Sequence, residues 1–415
     1  MRRLLFSKAI SVMLAGLLLP AAAIAAATVG PVTDAIGVVK IPPGAPLQIG
    51  AYMTLSGPDA ALGTDEKRAI EIAVADRGGK LLGRAIKLDF EDSLCSAEGG
   101  QTAAQKLAAN PAEILVLGPS CSSEATPGAP ILWKAGIVSI GISTSAPSLT
   151  APTRKPEYDG FARTIFSDID QGAADAKWLH DVLKVKRIVT IHDGSAYAQQ
   201  LTAQTAENFR KLGGTVLSEE AVAPTDVDMH PLLTRIATEK PDALYFPIFV
   251  AAAAQILRQS GEVPGLKNVA KIGGGALMAP EMIEAAGDSV VGFRIGYPDV
   301  SPEAMGKGYP EFVAKYTKTF GQGPISGFHA NAYDAAELAF AAIEKVAVTG
   351  KDGTIYIGRK ALRDAVFASK FDGISGPIDC NRYGQCGRFK PAVYEFTSAD
   401  PKTFKIGVNP KKIYP

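Results

Sequence analysis

The chain has 415 residues, of which 47% are hydrophobic and 20% are charged, a composition typical of a globular protein large enough for two or three domains. Its 43 basic and 42 acidic residues give a formal net charge of +1, with no long block of one sign. This balance argues against nucleic-acid binding and against adsorption to an anionic membrane, because both need a surplus of basic residues.

The N-terminus is typical of a secretory signal peptide over residues 1–26. A basic start (MRRLLFSK) precedes an apolar core (AISVMLAGLLLPAAAIA), and small residues suit cleavage near Ala25–Ala27. The apolar run is short for a membrane anchor, and no cysteine near the cut offers a lipid attachment site. We therefore expect an exported, soluble protein. Residues 27–46 are rich in Pro and Gly and lack periodicity, so they are predicted to form a flexible leader.

Strand and helix patterns alternate from residue 47 onward. One series runs from the strand LQIGAYM to the strand GIVSIG, and after residue 161 a second runs from RIVTIHD to VAKIGG. Repeated βα units with apolar strands predict parallel sheets covered by helices on both faces. The expected fold class is therefore α/β with two doubly wound parallel-sheet lobes. Beyond about residue 299, three helices and a terminal hairpin are too few for a third sheet domain and are expected to pack back onto both lobes.

The stretch GPSCSSEATPG, residues 118–128, follows the apolar strand EILVLG and precedes the predicted helix APILWKA. In open α/β sheets the carboxyl ends of the strands are where ligands bind. A polar loop whose serine caps the following helix explains the same residues. On this stretch alone, both interpretations stay open.

The four cysteines predict two disulfides, since an even count in an exported chain favours pairing. Cys95 and Cys121 each follow a predicted strand, and adjacent parallel strands would bring those two strand ends together. Cys380 and Cys386 flank NRYGQ, a predicted hairpin turn that a disulfide would pin. A four-cysteine zinc site is the alternative, but the chain contains no Cys-x-x-Cys pair. We therefore predict no metal site.

Signals of catalysis are weak. The chain has no G-x-S-x-G, Walker A or H-E-x-x-H motif, and its four histidines show no ligand spacing. His192 and Asp193 could form an acid–base pair, but a turn at the end of a strand explains them as well. The glycines at 273–275 lack the spacing of a dinucleotide-binding loop. A hydrolase is therefore disfavoured, and no cofactor is expected.

Seven stretches occur in an order and spacing that resemble one family. They are AYMTLSGPDAALG, FEDSLC, GPSCSSEATPGAPIL, ISTSAPSLT, FARTIFSDIDQG, HDGSAYAQQL and NAYDAAELAFAAIE. The family is the Leu/Ile/Val-binding class of type I periplasmic solute-binding proteins, which feed ABC importers. The resemblance covers about residues 47–409. Each motif is weak alone, whereas seven in series are specific.

The resemblance implies a clamp of two lobes joined by three crossovers, with one ligand held between them. Residues 47–168 and 299–389 would form the N-terminal lobe, and residues 169–298 and 390–412 the C-terminal lobe. It implies a periplasmic monomer, not an enzyme, that delivers an amino acid or related small carboxylate to an inner-membrane ABC permease. The same fold recurs in ligand-sensing regulatory domains, but those receptors carry a transmembrane or DNA-binding segment, and none is predicted in this chain.

The resemblance also implies which residues contact the ligand. The family binds the ligand carboxylate through a serine backbone N–H and hydroxyl that correspond to Ser122, with Ser123 beside it. The next strand-end loop supplies three more residues around the ligand's head group, namely Ser143, Thr144 and Ser145. Tyr197 corresponds to a tyrosine that closes over the ligand from the second lobe.

Three positions depart from the amino-acid-binding pattern of the family. Leu62 replaces an aromatic residue near the ligand side chain, and Phe249 replaces a tyrosine of the second lobe. Gly275 stands where the family has the acidic residue that pairs with the ligand's ammonium. Asp168 corresponds to a first-lobe acidic position that could accept from a cation, and a structural role at the hinge explains it equally well. A wider, more apolar pocket makes aromatic or aliphatic acids without an amino group the alternative ligands.

Overall fold

A computed structural model describes residues 27–415. The predicted signal peptide falls on residues 1–26 and lies outside this range. In chain order the strands are β1 (Ala27–Val29), β2 (Val32–Asp34), β3 (Val38–Ile41), β4 (Leu47–Met53), β5 (Lys80–Leu81), β6 (Arg84–Asp92), β7 (Glu113–Leu117), β8 (Ser139–Gly141), β9 (Phe161–Arg163), β10 (Arg187–His192), β11 (Thr215–Ala221), β12 (Ala243–Tyr245), β13 (Ala270–Gly273), β14 (Arg294–Pro298), β15 (Val348–Thr349), β16 (Ile355–Gly358), β17 (Lys370–Gly373), β18 (Gly376–Asp379), β19 (Pro391–Glu395) and β20 (Lys411–Tyr414).

The α-helices follow the alternation predicted from the sequence. In chain order they are α1 (Ala60–Asp76), α2 (Ala97–Ala108), α3 (Ser122–Lys134), α4 (Asp168–Lys177), α5 (Ala196–Lys211), α6 (His230–Glu239), α7 (Val250–Ser260), α8 (Pro280–Ala286), α9 (Tyr309–Phe320), α10 (His329–Val346) and α11 (Arg359–Phe367). A π-helical turn, Trp178–Val182, extends α4. Between residues 27 and 415, no helix combines the length and the hydropathy needed to span a bilayer.

Two large sheets form the cores of two lobes. The N-terminal sheet has the order β5-β6-β4-β7-β8-β9, and the C-terminal sheet has the order β11-β10-β12-β13-β14-β19-β20. Each sheet contains five parallel strands in the same order. The second strand along the chain lies at the outside of the parallel set, the first lies next to it, and the third, fourth and fifth follow on the other side of the first. All five residues of β7 are buried, as expected of a strand covered on both faces. The predicted α/β fold with two doubly wound lobes is confirmed.

The chain passes between the two lobes three times. The first crossing follows β9, the second follows β14, and the third joins β18 to β19. The helices after the second crossing return to the N-terminal lobe, where α10 packs along α1, while β19 and β20 complete the C-terminal sheet. Phe166 lies on the first crossing and Phe389 on the third. Their ring centroids are 4.5 Å apart, so an aromatic contact ties these two crossings together.

The segment 27–46 differs from the predicted flexible leader. β1 and β2 form a hairpin, and β3 pairs along its whole length with β16. The buried Asp34 carboxylate accepts four backbone N–H groups, two from its own turn and two from the first turn of α11, at Lys360 and Ala361. Those last two donors lie 326 and 327 positions away, so the local composition of the segment could not reveal them.

The stretch 118–128 is mostly helix rather than loop. α3 begins at Ser122, before the predicted helix APILWKA, and Pro127 lies inside it. Glu124 occupies the third helical position, where its Oε2 accepts the backbone N–H of Cys121 at 2.7 Å. The N-cap residue is Cys121, so the interpretation in which a serine caps this helix is wrong. This acceptor thus satisfies a backbone donor at the start of the helix.

Both predicted disulfides are present, Cys95–Cys121 and Cys380–Cys386. The first joins the turn after β6 to the start of α3, as the parallel arrangement predicts. The second closes a turn that pairs with the edge of the N-terminal sheet, where Arg163 donates its backbone N–H to Gly384 O at 2.8 Å. Each crosslink therefore fixes a loop against a strand end of the N-terminal lobe.

Replacing Asp34 with alanine is expected to lower the free energy of unfolding by about 2–3 kcal/mol at neutral pH, because four backbone donors lose a charged acceptor. Burial raises the pKa of Asp34, but the four backbone hydrogen bonds outweigh it and hold the pKa below its usual value. The stabilisation is therefore present above about pH 4 and is lost as the pH falls through the lowered pKa.

Urea unfolding of the wild type and Asp34→Ala at neutral and at acid pH measures this difference. Lys360→Ala is the control, because it removes an exposed side chain and keeps the backbone N–H that Asp34 binds. Equal unfolding free energies of Asp34→Ala and the wild type at neutral pH would show that this carboxylate does not anchor the segment.

Candidate functional site

A cavity lies between the two lobes, at the carboxyl ends of strands from both sheets, where ligands bind in open α/β folds. The empty space between its walls is about 400 Å³, which includes space open to solvent. We refer to it as the cleft cavity. It is lined by Leu62, Ser120, Cys121, Ser122, Ser143, Ser145, Phe166, Gln171, Tyr197, Phe249, Gly275, Ala276 and Phe328.

Most of the residues that the sequence places at the ligand are brought together at this cavity. Seven of the ten predicted ligand-contact residues line it, namely Leu62, Ser122, Ser143, Ser145, Tyr197, Phe249 and Gly275. The other three, Ser123, Thr144 and Asp168, do not line it. Ser123 instead faces the opposite lobe, where its Oγ accepts the backbone N–H of Ala196, the first residue of α5, at 3.1 Å.

Ser122 is the first residue of α3 and is 2% exposed. Its Oγ accepts the backbone N–H of Ala146 at 3.2 Å, which leaves the hydroxyl hydrogen available for another acceptor. Its backbone N–H has no acceptor among the described residues, as is usual in a first helical turn. Two donors are therefore available at the N-terminus of a helix, an arrangement that favours an anion.

The turn after β8 carries the residues predicted to surround the ligand's head group. Ser143 and Ser145 line the cleft cavity, and Ser143 Oγ lies 2.7 Å from the backbone O of Ser120. Thr144 faces away, and its buried Oγ1 has no hydrogen-bond partner among the described residues. The backbone O of Thr144 accepts instead from the buried guanidinium of Arg163 at 2.8 Å, which holds the turn in place.

Tyr197 and Phe249 form the wall of the C-terminal lobe, with their ring centroids 5.9 Å apart in an edge-to-face contact. The Tyr197 side chain is 8% exposed, and its hydroxyl has no partner at hydrogen-bonding geometry within residues 27–415. Burial raises the pKa of Tyr197 well above its usual value, so the phenol stays protonated. The hydroxyl lies over Gly274, where a Cβ would come within 2.2 Å of it, so this contact requires glycine.

Gly275 leaves no room for the acidic side chain of the family pattern. A Cβ at this position would lie 2.7 Å from the ring of Tyr297, which is fully buried. Tyr297 packs edge-to-face on Phe328, with 5.4 Å between the ring centroids. An aromatic ring therefore fills the space next to this position. Together with Leu62 and Phe249, Phe328 makes this side of the cleft cavity apolar.

Asp168 is the first residue of α4 and is fully buried, away from the lining of the cleft cavity. Its backbone N–H donates to Ser145 O at 3.0 Å, and neither carboxyl oxygen has a partner at hydrogen-bonding geometry in the described part of the chain. Burial raises the pKa of Asp168 to about 7, although the Ser145 hydroxyl and the Arg163 guanidinium oppose this shift. The lining itself carries neither an acidic nor a basic side chain.

The sequence reasoning missed one buried group behind the lining, Glu66, and six lining residues, namely Ser120, Cys121, Phe166, Gln171, Ala276 and Phe328. Phe166 and Gln171 belong to the first crossing and to α4, and their approach to the cavity depends on how the two lobes meet. Phe328, just before α10, reaches the cavity only because the chain returns to the N-terminal lobe. Glu66 lies one helical turn after Leu62 on the same face of α1, so helical periodicity could have predicted its position.

Side-chain contacts between the lobes hold the cleft closed. In addition to the contact made by Ser123, Ser148 of the N-terminal lobe and Gln200 of the C-terminal lobe exchange two hydrogen bonds of 2.9 and 3.0 Å. Asp59, which precedes α1, accepts the backbone N–H of Val250, the first residue of α7, at 3.4 Å. The described structure is therefore a closed form.

Nothing in the lining of the cleft cavity forms a catalytic arrangement. It includes no histidine, and its one cysteine, Cys121, is held in a disulfide. Between residues 27 and 415, no cluster of three or more His, Cys, Asp or Glu side chains could hold a metal ion. The lining combines hydrogen-bonding groups with apolar side chains, which suits the enclosure of a small amphipathic molecule.

The chain belongs to the periplasmic binding protein family, whose sequence profile matches residues 46–394. It is 29% identical over 307 residues to the Leu/Ile/Val-binding protein BraC3 of Rhizobium johnstonii. That alignment covers 72% of this chain and 80% of the relative. The predicted resemblance to the Leu/Ile/Val-binding class is confirmed. Because the relatives are solute-binding proteins, this chain is a binding protein rather than an enzyme, as the sequence predicts.

Two solved structures share the fold. The leucine binding protein LivK of Thermotoga maritima superposes with a TM-score of 0.75 at 24% identity, and the match covers 85% of this chain and 96% of that one. A solute binding protein of an ABC transporter from R. palustris, in complex with benzoate, superposes with a TM-score of 0.73 at 22% identity. That match covers 89% of this chain and 96% of the other.

Ligand affinity is expected to weaken roughly threefold to tenfold as the pH rises from about 4 to about 6, because closure partly buries Asp59. Burial raises the pKa of Asp59 to about 6 in the closed form; the N–H of Val250 opposes this shift, and the carboxyl groups of Asp193 and Glu281 add to it. Because the pKa of Asp59 is higher in the closed form than in the open form, protonation of this carboxyl group favours closure. The stabilisation of the closed form is complete below the open-form pKa and is lost as the pH rises through the closed-form pKa.

Calorimetry with leucine or benzoate, whichever binds, over this pH range measures the effect. In Asp59→Asn the amide oxygen can still accept from Val250, but the group no longer titrates, so the profile should flatten. Asp226→Asn, which changes an exposed acidic residue of the C-terminal lobe, is the control and should keep the wild-type profile. A profile of Asp59→Asn as steep as that of the wild type would exclude this group as the cause.

Proposed function

We propose that this protein captures a small carboxylate between its lobes in the periplasm and delivers it to the inner-membrane permease of an ABC importer. The observation that carries the proposal is the pair of donors at Ser122. A hydroxyl hydrogen and a backbone N–H are available at the start of a 13-residue helix, and the residue lines the cleft cavity. A carboxylate is the anionic group of a small solute that these donors suit.

The carboxylate would be bound without a basic side chain, since the lining contains no Lys or Arg. Hydrogen bonds from a helix N-terminus and a hydroxyl to an anion are charge-assisted, and the helix dipole adds to them. These interactions are strong only where water is excluded, because the low dielectric of a closed cavity increases them. The contacts of Ser123, Ser148 and Asp59 with the opposite lobe support such exclusion.

Two classes of ligand fit this anchor. Amino acids are one class, since the relatives include Leu/Ile/Val-binding proteins and the Tyr197 hydroxyl could accept from an ammonium group. Carboxylic acids without an amino group are the other class. No acidic side chain lines the cavity, and the space next to Gly275 is filled by an aromatic ring.

We favour the second class, because a buried ammonium without an acidic partner is strongly unfavourable. The apolar side chains of Leu62, Phe249 and Phe328 suit an aryl or alkyl tail. Proteins of this fold from R. palustris are described in complex with benzoate and with 4-hydroxybenzoate, so the fold can enclose an aromatic acid. Branched-chain amino acids remain the second candidate.

A thermal-shift panel separates the two classes. The protein is first unfolded and refolded to remove any co-purified solute, and then leucine is compared with 4-methyl-2-oxopentanoate, benzoate and 3-phenylpropanoate. We expect the acids without an amino group to raise the melting temperature at least as much as leucine does. If only amino acids raise it, the second class is excluded, and another acceptor such as Asp168 must hold the ammonium.

Ser122→Ala removes a hydroxyl donor and keeps the backbone N–H. The expected loss lies in the lower half of about 1.5–3 kcal/mol, or roughly tenfold in affinity, for the strongest carboxylate of the panel. Calorimetry of the two proteins measures it. Lys134→Ala, at an exposed position in the last turn of the same helix, is the control and should bind like the wild type. Unchanged affinity of Ser122→Ala would mean that the ligand is not anchored at this helix.

A further inference from the structure

A fully buried carboxyl group, that of Glu66 on α1, lies directly behind two serines of the cleft cavity. Ser120 Oγ is 2.5 Å from Glu66 Oε2, and Ser143 Oγ is in hydrogen-bonding contact with Glu66 Oε1. Ser143 Oγ is also 2.7 Å from the backbone O of Ser120. The backbone N–H of Thr54 donates to Ser120 Oγ at 3.3 Å. These contacts form a closed circuit behind the ligand-facing surface.

The hydrogens of the two serines cannot satisfy this circuit alone. Ser143 has one hydroxyl hydrogen, but its Oγ contacts two potential acceptors, Ser120 O and Glu66 Oε1. One of these contacts would join two oxygen atoms without a hydrogen unless Glu66 supplies one. A protonated Oε1 donates to Ser143 Oγ, Ser143 then donates to Ser120 O, and Ser120 donates to Oε2. Each contact then contains one hydrogen.

A second buried glutamate in the same lobe has the opposite requirement. All four groups that contact the Glu124 carboxylate are donors: the backbone N–H groups of Cys95 and Cys121 and the hydroxyls of Thr54 and Ser93. None of these contacts needs a hydrogen on the carboxyl group. The geometry therefore requires a donor at Glu66 and only acceptors at Glu124.

We propose that Glu66 is held as a neutral carboxylic acid and acts as a positioning residue that makes Ser143 present a hydrogen-bond acceptor, and no donor, to the cleft cavity. Ser122, in contrast, can donate to the ligand, because Ala146 uses one of its two lone pairs and its hydroxyl hydrogen is available. If the proposed function holds, the carboxylate lies at Ser122 and Ser143 accepts from an O–H group of the same ligand. Among carboxylic acids without an amino group, the site then favours those that carry a hydroxyl group near the carboxylate.

The surroundings of Glu66 favour the neutral form. Burial raises its pKa to about 8; the Ser120 and Ser143 hydroxyls oppose this shift, whereas the charges of Glu124 on α3 and of Asp65 on α1 add to it. The nearby imidazole, His329 on α10, is 2.9 Å from Asp65 and forms no ion pair with Glu66. No cationic side chain is therefore in contact with this carboxyl group in the described part of the chain.

Glu66→Gln and Glu124→Gln form a matched pair of variants. A glutamine at position 66 reproduces the protonated acid, because its NH₂ donates to Ser143 and its oxygen accepts from Ser120. At position 124 the same change places an NH₂ group opposite hydrogen-bond donors, so those hydrogen bonds cannot form. We expect Glu66→Gln to bind the strongest ligand of the panel within about threefold of the wild type at pH 7. Glu124→Gln should lose at least tenfold or fail to fold.

The dependence of ligand affinity on pH distinguishes a positioning role of Glu66 from a merely structural role. Above about pH 8 an ionised Glu66 would repel the ligand carboxylate, so wild-type affinity is expected to fall about tenfold between pH 7 and 9.5. The profile of Glu66→Gln should be flat over this range. In parallel, carbon-13 NMR of glutamate carboxyl groups should show a Glu66 resonance that titrates near pH 8 in the wild type and is absent from the variant. Burial also raises the pKa of Glu113 to about 8, so its resonance should titrate in both proteins.

Two results would overturn the assignment of the proton. One is a Glu66 resonance that titrates below about pH 5. The other is a Glu66→Gln variant that loses tenfold in affinity at pH 7 while keeping the wild-type pH profile. The NMR titration needs no ligand, so it tests the neutral acid even if the proposed function fails.

The polarity of Ser143 is tested with two matched ligands. 2-Hydroxy-4-methylpentanoate offers a hydroxyl hydrogen next to the carboxylate, whereas 4-methyl-2-oxopentanoate offers only an acceptor there. We expect the hydroxy acid to bind about tenfold more tightly, and Ser143→Ala to remove most of that difference. Equal affinities in the wild type would contradict the assigned polarity. If neither acid binds and the NMR result stands, it is the proposed function that fails.

Discussion

The Glu124 carboxylate joins the ends of three neighbouring strands, and the geometry of the candidate ligand-binding turn depends on it. It accepts hydrogen bonds from Thr54 after β4, from Ser93 after β6 and from Cys121 after β7. The Cys95–Cys121 disulfide adds a covalent link between two of these strand ends. Because the turn is held in place by the lobe itself, its donors at the start of α3 lose little conformational freedom when an anion binds. A neutral site can thereby hold a charged group.

The two lobes meet through polar contacts that closure makes and opening breaks. Ser123 and Asp59 of the N-terminal lobe each accept the first backbone N–H of a helix in the C-terminal lobe, that of α5 and that of α7. Because these contacts are hydrogen bonds, opening the cleft exchanges them for hydrogen bonds to water. The crossings that join the lobes are short, and Phe166, which contacts Phe389 across two of them, also lines the cavity. A ligand that touches this ring therefore contacts the hinge, and its binding can shift the population towards the closed form.

Features that depend on local periodicity were predictable from the sequence, and features that depend on distant partners were not. The two-lobed fold and the Cys95–Cys121 pair follow from alternating βα units, because parallel strands place their carboxyl ends side by side. The start of α3 was predicted too late, since the role of Glu124 in its first turn also involves Thr54 and Ser93, which follow other strands. Ser123 and Thr144 were expected beside the ligand, but the neighbouring lobe and the packing of the turn decide which way they face. The anchoring of residues 27–46 through Asp34 has no local signature either.

Enclosure of a solute by closure of the lobes is the central claim, and small-angle X-ray scattering tests it most directly. The protein is refolded to remove bound solute and measured alone and with a saturating amount of the panel compound that raises its melting temperature most. We predict a smaller radius of gyration in the presence of that compound, because binding shifts the population towards the closed form. An identical radius in the two samples, at saturation confirmed by calorimetry, would contradict a clamp that closes on its ligand.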